Sequence, residues 1–312
     1  MLENLRLLVS IVEKGGMAAA GREWGLSPAT VSARLAALEE HYGTRLIHRT
    51  TRSLSLTSEG AVLLEGARQI IAEMDDLEAR VRLGAERLFG TMRITGPVDL
   101  GRGWLVPRLD AFLAKHPHLK LELQLSDGYV DLSRFGFDLA LRYGTLSDST
   151  LRVRKLTTVR RMACASPSYI EKNGTPQTPE DLAHHNCLVM RFGGEPDHHW
   201  PFKVDGKEVR ISASGNRVAN DGDLVRRWCL DGHGIALKSD LDIRADLDAG
   251  RLVPILTAFE ADPTELQLVY PGGRSPSRRI RALIEHIVAA RDELNAHQAS
   301  PNSTQSSSKT RR

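Results

Sequence analysis

Residues 16–43 read GMAAAGREWGLSPATVSARLAALEEHYG, and they decide what the segments around them have to be. Ala18, Ala19 and Ala20 open a helix whose side chains are small enough for a second helix to approach closely. Gly25 supplies the left-handed backbone that ends it. Leu26 plugs the turn, Ser27 is a good N-cap, and Pro28 suits the first helical position, where a missing N–H costs nothing. In the helix that follows, Val31, Leu35 and Leu38 recur at helical spacing and face inward, so Ala29, Thr30, Ser32, Ala33 and Arg34 point out. A helix-turn-helix needs such a face, with small residues that let it sink into the major groove and a few donors for base edges and phosphates. The same pattern also suits a helical hairpin inside an ordinary all-α domain.

Both flanks favour the first reading. Upstream, Leu5, Leu8, Val9 and Val12 give a helix with an apolar stripe that stops at the Gly15-Gly16 pair. Downstream, Gly43 ends the second helix, and residues 44–57, TRLIHRTTRSLSLT, alternate in their second half and carry Arg45, Arg49 and Arg52 without an acidic residue. That is the pattern of a two-stranded wing whose arginines meet phosphate or the minor groove, although basic hairpins also occur on solvated surfaces. The candidate DNA-contacting residues are therefore Ser27, Pro28, Ala29, Thr30, Ser32, Arg34, Arg49 and Arg52.

The order MAAAGREWG, LSPATVSARLAALEEHYG, TRLIHRTTRSLSLTSEG resembles the LysR-type transcriptional regulators. The resemblance implies an α+β multidomain protein with a winged helix-turn-helix over 1–57, its helix-turn-helix about 17–36. A dimerising linker helix over 58–89 and an effector-binding regulatory region over 90–296 would follow. In one respect the chain departs from the family, which often carries a basic residue directly after the recognition-helix serine. Here that position is Ala33, and Arg34 stands one residue on to reach either a base or a phosphate.

With 312 residues the chain has room for a small module plus a bilobed domain. A net charge of +3 is too small to argue for nucleic acid, so DNA contact has to depend on local placement. No apolar run approaches the ~18 residues of a membrane span and the first residues lack a signal-peptide pattern, so no membrane partner and a cytoplasmic location are expected. Cys164, Cys187 and Cys229 are far apart and form no CxxC, which fits buried thiols better than a zinc site, with a redox pair left open. The pairs His184-His185 and His198-His199 lack metal-ligand spacing and read as loop residues. No metal, cofactor or catalytic residue is expected: GxSxG, P-loop and HExxH patterns are missing, and Gly101-Arg102-Gly103 lacks a third glycine.

From Ser58 the apolar residues Leu63, Ala67, Ile70, Met74, Leu77, Val81 and Leu88, with Gly84 between the last two, alternate steps of four and three. This heptad seam predicts a helix from Ser58 to Leu88 roughly 46 Å long, serving a coiled-coil dimer or packing on its own domain. A dimer predicts a dyad operator, because two half-sites multiply the discrimination of a short reading helix. One seam specifies a homodimer and leaves a tetramer open.

From Thr91 on, strands and helices alternate as in a parallel sheet with crossover helices, whose ligands collect at the carboxyl ends of the strands. The segments DLSRFGFDLALRYGTLSDSTLRVRKL and RRMACASPSYIEKNGTPQTPEDLAHHNCL extend the family resemblance to its regulatory region, which is similar to two-lobed periplasmic binding proteins. It implies lobes of about 91–160 with 268–296, and about 161–267, with ligand contacts at Pro97, Val98, Asp99, Gly101, Arg102, Arg142, Gly144, Asn220 and Asp221. A helix amino terminus together with Arg102 or Arg142 suits a small organic acid, while Asp221 and Asp223 oppose one. The subgroup it looks like includes regulators of hydroxy-dicarboxylate use. Residues 297–312 read as a disordered polar tail. The expected function is a DNA-binding transcriptional regulator controlled by a small effector, with double-stranded DNA, a second copy of the chain and RNA polymerase as partners. A constitutive DNA-binding scaffold and an α/β enzyme are the competing classes.

Overall fold

The computed structural model describes residues 1–49, 54–83, 87–128, 130–144, 150–272 and 275–296. The predictions made for Arg52, Gly84 and the tail 297–312 therefore lie outside the described residues.

Helices α1 (Leu2–Glu13), α2 (Met17–Trp24) and α3 (Pro28–Tyr42) enclose one small core, in which Leu5, Leu8 and Ile11 meet Ala20, Val31, Leu35 and Leu38. Gly21 lets α2 lie close to α3, since a Cβ there would stand 3.2 Å from Val31 Cγ2 and 3.1 Å from the Leu26 carbonyl. Gly25 takes φ +61° at the end of α2, as the turn requires. Strands β1 (Ile47–Arg49) and β2 (Leu54–Leu56) pair antiparallel as the wing.

Helix α4 (Ser58–Leu83) follows, capped by Thr57, whose hydroxyl accepts from Gly60 N at 2.9 Å and donates to Arg45 O at 2.7 Å. Only glycine fits at position 60: a Cβ would lie 2.0 Å from the Leu46 carbonyl oxygen, so the first turn of α4 rests directly on the base of the wing. The described helix runs to Leu83, residues 84–86 lie outside the described residues, and residues 87–89 are not helical, so the helix does not reach the predicted Leu88. The seam is also divided. Leu63 and Ala67 pack into the helix-turn-helix core, and Leu88 is buried in the regulatory region beyond the helix, so these three are not part of a free seam. Ile70, Met74, Leu77 and Val81 remain on the surface, with Leu77 51% and Val81 79% exposed.

Next come β3 (Gly90–Gly96), α5 (Val98–Leu100), a π-helical turn Gly101–Leu105, α6 (Val106–Lys115), β4 (Leu119–Leu125), α7 (Leu132–Phe135), β5 (Leu139–Tyr143) and β6 (Leu151–Val159). The segment after β3 is helical from Val98 on. Pro97 has the extended backbone of an N-cap, and the wide π turn brings Gly101 under Leu125, where a Cβ would meet Cδ2 at 2.5 Å.

The chain then forms β7 (Arg161–Ala165), α8 (Pro167–Asn173), a 3-10 turn Pro179–His184, β8 (Cys187–Met190), β9 (His199–Val204), β10 (Lys207–Ser212) and β11 (Arg217–Ala219). After these come α9 (Gly222–Leu230), β12 (Ile235–Ser239), α10 (Asp240–Asp248) and β13 (Val253–Ile255). It returns through β14 (Thr264–Pro271) to α11 (Arg278–Ala289) and α12 (Arg291–Ala296). His199 therefore opens a strand of the β9–β10 hairpin and is not in a loop as expected.

Two five-stranded sheets result, ordered β4-β3-β5-β14-β6 and β11-β8-β12-β7-β13. Each is mixed, which corrects the all-parallel expectation. In the first sheet β14 runs antiparallel to β5 and β6, because the chain comes back from the second lobe before closing the first. In the second, β7 and β13 run antiparallel to their neighbours. The first lobe has a core around Ile94, Leu109, Leu139, Leu268 and Leu283, and the second has its own around Leu182, Trp200, Phe202 and Ile235. No helix among the described residues is long and apolar enough to cross a membrane.

Candidate DNA interface and effector cavity

The first turn of α3 is built to stay rigid on a surface. Ser27 Oγ accepts from Thr30 N at 3.2 Å and lies 2.9 Å from Thr30 Oγ1, a cap that contributes about 1 kcal/mol to a helix start. Pro28, Ala29 and Ala33 are exposed, and Thr30, Ser32 and Arg34 are half-buried on the same side, away from Val31, Leu35 and Leu38. Arg34 makes no ion pair among the described residues, so its charge faces solvent unmatched. Arg49 pairs with Leu54 across the wing, and Arg45 is exposed beside it. The helix amino terminus, the hydroxyls and the Arg34 guanidinium share one face of α3, an arrangement that can meet DNA backbone and base edges.

Where the two lobes face each other, a cavity of about 410 Å³ opens. The carboxyl ends of β3 and β5 bring Pro97, Arg142 and Gly144, three of the expected ligand contacts, to its wall. The cavity walls also hold Asp127, Tyr143, Arg161, Lys238 and Asp242, none of which the sequence singled out, together with the apolar Val159, Met190, Phe192 and Leu237. Lys238 carried a legible signal: it is a lysine in the middle of IALKS, a strand buried at every position.

Several predicted ligand contacts have other work. Asp127 takes the anion's place at two helix amino termini, its carboxylate accepting from Val98 N at 3.0 Å on one lobe and from Gly222 N at 2.8 Å on the other. The chain itself thus places a carboxylate at both helix starts, where the sequence reading expected an effector acid. Asp99 is buried in an ion pair with Lys238, and Gly101 lies under Leu125. Arg102 pairs with Asp223 at 3.2 Å. Asn220 is exposed, and Asp221 caps α9 by accepting from Leu224 N at 3.1 Å. None of Val98, Asp99, Gly101, Arg102, Asn220 and Asp221 lines the cavity.

The charges of the cavity are nearly all matched. Lys238 bonds to Asp99, donates to Gly222 O at 3.0 Å and lies 3.7 Å from Asp242. Burial pulls this ammonium down, but Asp242 and Asp99 outweigh it and hold it above the usual lysine range. Asp242 accepts from Tyr143 OH at 3.1 Å, and burial lifts its carboxyl to about 6 against the opposing pull of Lys238. Arg161 pairs with Asp197 at 3.3 Å. Arg142 is different: its guanidinium donates to Ser126 O at 2.8 Å and Thr95 Oγ1 at 3.0 Å, both neutral, and burial lowers its pKa. Asp127 acts on it only through space, and no carboxylate pairs with it among the described residues. A half-buried cation with only neutral partners at the wall of a cavity is suited to bind an anion.

All three cysteines are buried and free. Hydrogen bonding with the Cys229 thiol and burial push the Cys164 thiol well up, and burial lifts Cys187 to about 11, so both stay protonated and unreactive.

Comparison with known proteins bears on both sites. Residues 2–61 match the family of bacterial regulatory helix-turn-helix proteins, lysR family, and residues 85–292 match the LysR substrate binding domain. The chain is 34% identical over 287 residues to the HTH-type transcriptional regulator CrgA of Neisseria meningitidis, covering 92% of this chain and 95% of that protein. It is 33% identical over 287 residues to the regulator DmlR of Escherichia coli, covering 92% and 93%. The solved structure of CrgA, a LysR-type transcriptional regulator, superposes with a TM-score of 0.60 at 33% identity over 93% of this chain and 98% of that one. The full-length Vibrio cholerae virulence activator AphB superposes with a TM-score of 0.60 at 27% identity over 93% and 99%.

Proposed function

Because the chain belongs to the LysR-type transcriptional regulators, DNA-binding proteins controlled by small-molecule effectors, we propose that it reads a dyad operator with Ser27 to Arg34 and takes an organic anion against Arg142. In this reading Pro28, Ala29, Thr30, Ser32 and Arg34 enter the major groove, and Arg49 and Arg52 of the wing lie along the backbone. The exposed apolar residues of α4, from Ile70 to Val81, pair two chains, and further contacts build a tetramer. Effector binding between the lobes shifts the balance between two arrangements of the DNA-binding domains and changes the access of RNA polymerase to the promoter. The observation that carries the effector side is Arg142, a guanidinium at the cavity wall with only neutral partners. The protein then works in the cytoplasm, where the chromosome is.

Footprinting tests this on the DNA upstream of the protein's own coding sequence, at near-physiological salt with competitor DNA. Two protected half-sites on one face of the duplex are expected, and binding no tighter than to competitor, on this DNA and after random-sequence selection, would refute it. Arg34→Ala sharpens the result. If Arg34 reads a base, specificity relaxes at one operator position at a cost of about 1–3 kcal/mol; if it holds a phosphate, affinity falls uniformly and the salt slope shrinks by about one. Unchanged affinity and slope remove Arg34 from the interface.

A further inference from the structure

We infer that the effector is a monocarboxylate with an apolar body, an aromatic or alicyclic acid, and not a short dicarboxylate. The inference rests on the proposal that the effector occupies the interlobe cavity. Three cations line the cavity; Lys238 is matched by Asp99 and Asp242, Arg161 is matched by Asp197, and only Arg142 has no carboxylate partner among the described residues. Asp127, which lines the same cavity, acts on Arg142 through space without touching it, so the walls offer one guanidinium free to take an acid group in direct contact and no positive charge to spare for a second. A second carboxylate on the ligand would meet Asp127 or Asp242, whose oxygens are already engaged with backbone N–H groups, Tyr143 and Lys238, and would be repelled.

The walls set the rest of the ligand. Val159, Met190, Phe192 and Leu237 give the cavity of Arg142 an apolar wall, against which a four-carbon diacid presents a second charge and no apolar body. A ring or branched chain covers that wall and removes it from water. The two helix amino termini, which would otherwise offer a second anion site, are closed by Asp127. Arg142 stands on β5 of the first lobe, and Phe192, Met190 and Leu237 stand on the second. A ligand with its acid on Arg142 and its ring against Phe192 would thus hold both lobes at once, with Arg142 as its specificity-determining residue.

The test is calorimetry on the full-length protein with benzoate, cyclohexanecarboxylate, benzamide and succinate. Benzoate and cyclohexanecarboxylate are expected to bind, with the neutral benzamide and the diacid succinate at least tenfold weaker. Arg142→Gln should weaken the two monocarboxylates tenfold or more, and Arg142→Lys should recover part of that. Thr264→Trp, which fills the cavity from the half-buried start of β14, should block them, and melting curves of each variant check that it is folded. If succinate or benzamide binds as tightly as benzoate and Thr264→Trp blocks it, the cavity assignment stands and the ligand class is wrong. Monocarboxylate binding indifferent to both Arg142→Gln and Thr264→Trp overturns the cavity assignment, and this inference with it. Failure of both monocarboxylates to bind the folded protein also overturns the inference.

Discussion

Asp242 is the residue at which the cleft responds to pH. Its carboxyl is mostly buried at the cavity wall, and burial lifts it to about 6 although Lys238 opposes the rise; Asp99 and Asp127 add to it through space. Tyr143 from β5 and Lys238 from β12 are the groups that bond to it or approach it. A carboxyl whose folded pKa exceeds its unfolded value binds more protons when folded, so its contribution to stability falls as pH rises between the ordinary aspartate range and about 6. Asp242→Asn has no such titration. The stability of the variant relative to the native protein should therefore improve as pH rises from 4 to 7, in urea melts compared pairwise at each pH. A constant difference across that window would show that Asp242 keeps an ordinary pKa. Asp242 also marks a limit of sequence reading. The position of Arg142 at the cavity was legible because it stands near the carboxyl end of β5, where ligands on such sheets collect. Lys238 and Asp242 are four residues apart on the second lobe, but Asp99 is 139 residues from Lys238 and reaches it from the first lobe, a pairing no local pattern announces.

Among the elements, those whose geometry follows from local rules were the most legible. Gly25, Ser27 and Pro28 specify the turn between α2 and α3 whatever surrounds them, and Val31, Leu35 and Leu38 have one period and one core to fill. The linker was legible in period but not in partner. Leu63 and Ala67 obey the same heptad as Ile70 and Leu77, yet the first pair meets the helix-turn-helix core and the second is left outside it, because α4 begins beneath the wing and then leaves the domain. The mixed sheets were not legible, since the direction of β14 depends on the chain returning from a distant lobe. The exposed half of α4 carries a prediction of its own. Leu77→Glu places a charge in an apolar seam that a partner helix would bury, and a coiled-coil dimer does not tolerate it. Light scattering behind gel filtration should show the mass fall toward that of one chain, with operator affinity lost in parallel. Retention of the native mass would place the subunit interface elsewhere.

At the scale of the whole molecule, the DNA-binding domain is tied to the first lobe by more than the linker. Glu13, at the end of α1, receives both terminal nitrogens of Arg93 on β3, Nη2 at 2.9 Å, while Arg93 Nε donates to Glu122 on β4 at 2.9 Å. Arg68 of α4 lies 3.6 Å from the same Glu13 carboxylate, and Gly136 leaves room for its guanidinium, since a Cβ there would stand 2.7 Å from it. Helix α1, the linker and the regulatory lobe therefore share one knot of charge, half-buried and so less screened than an exposed surface pair. A fork of two parallel hydrogen bonds fixes direction as well as distance, and it would orient the reading helix relative to the lobe that holds Arg142. If Glu13 and Arg93 act through each other, Glu13→Gln and Arg93→Gln should each loosen the domains to a similar degree. The double variant should then do no more than either alone, because removing one partner already breaks the fork. Small-angle scattering of the native protein and the three variants reads this as one shared increase in radius of gyration. Additive increases would mean that the two residues hold the molecule together independently, and that orientation passes to the DNA-binding domain through α4 alone.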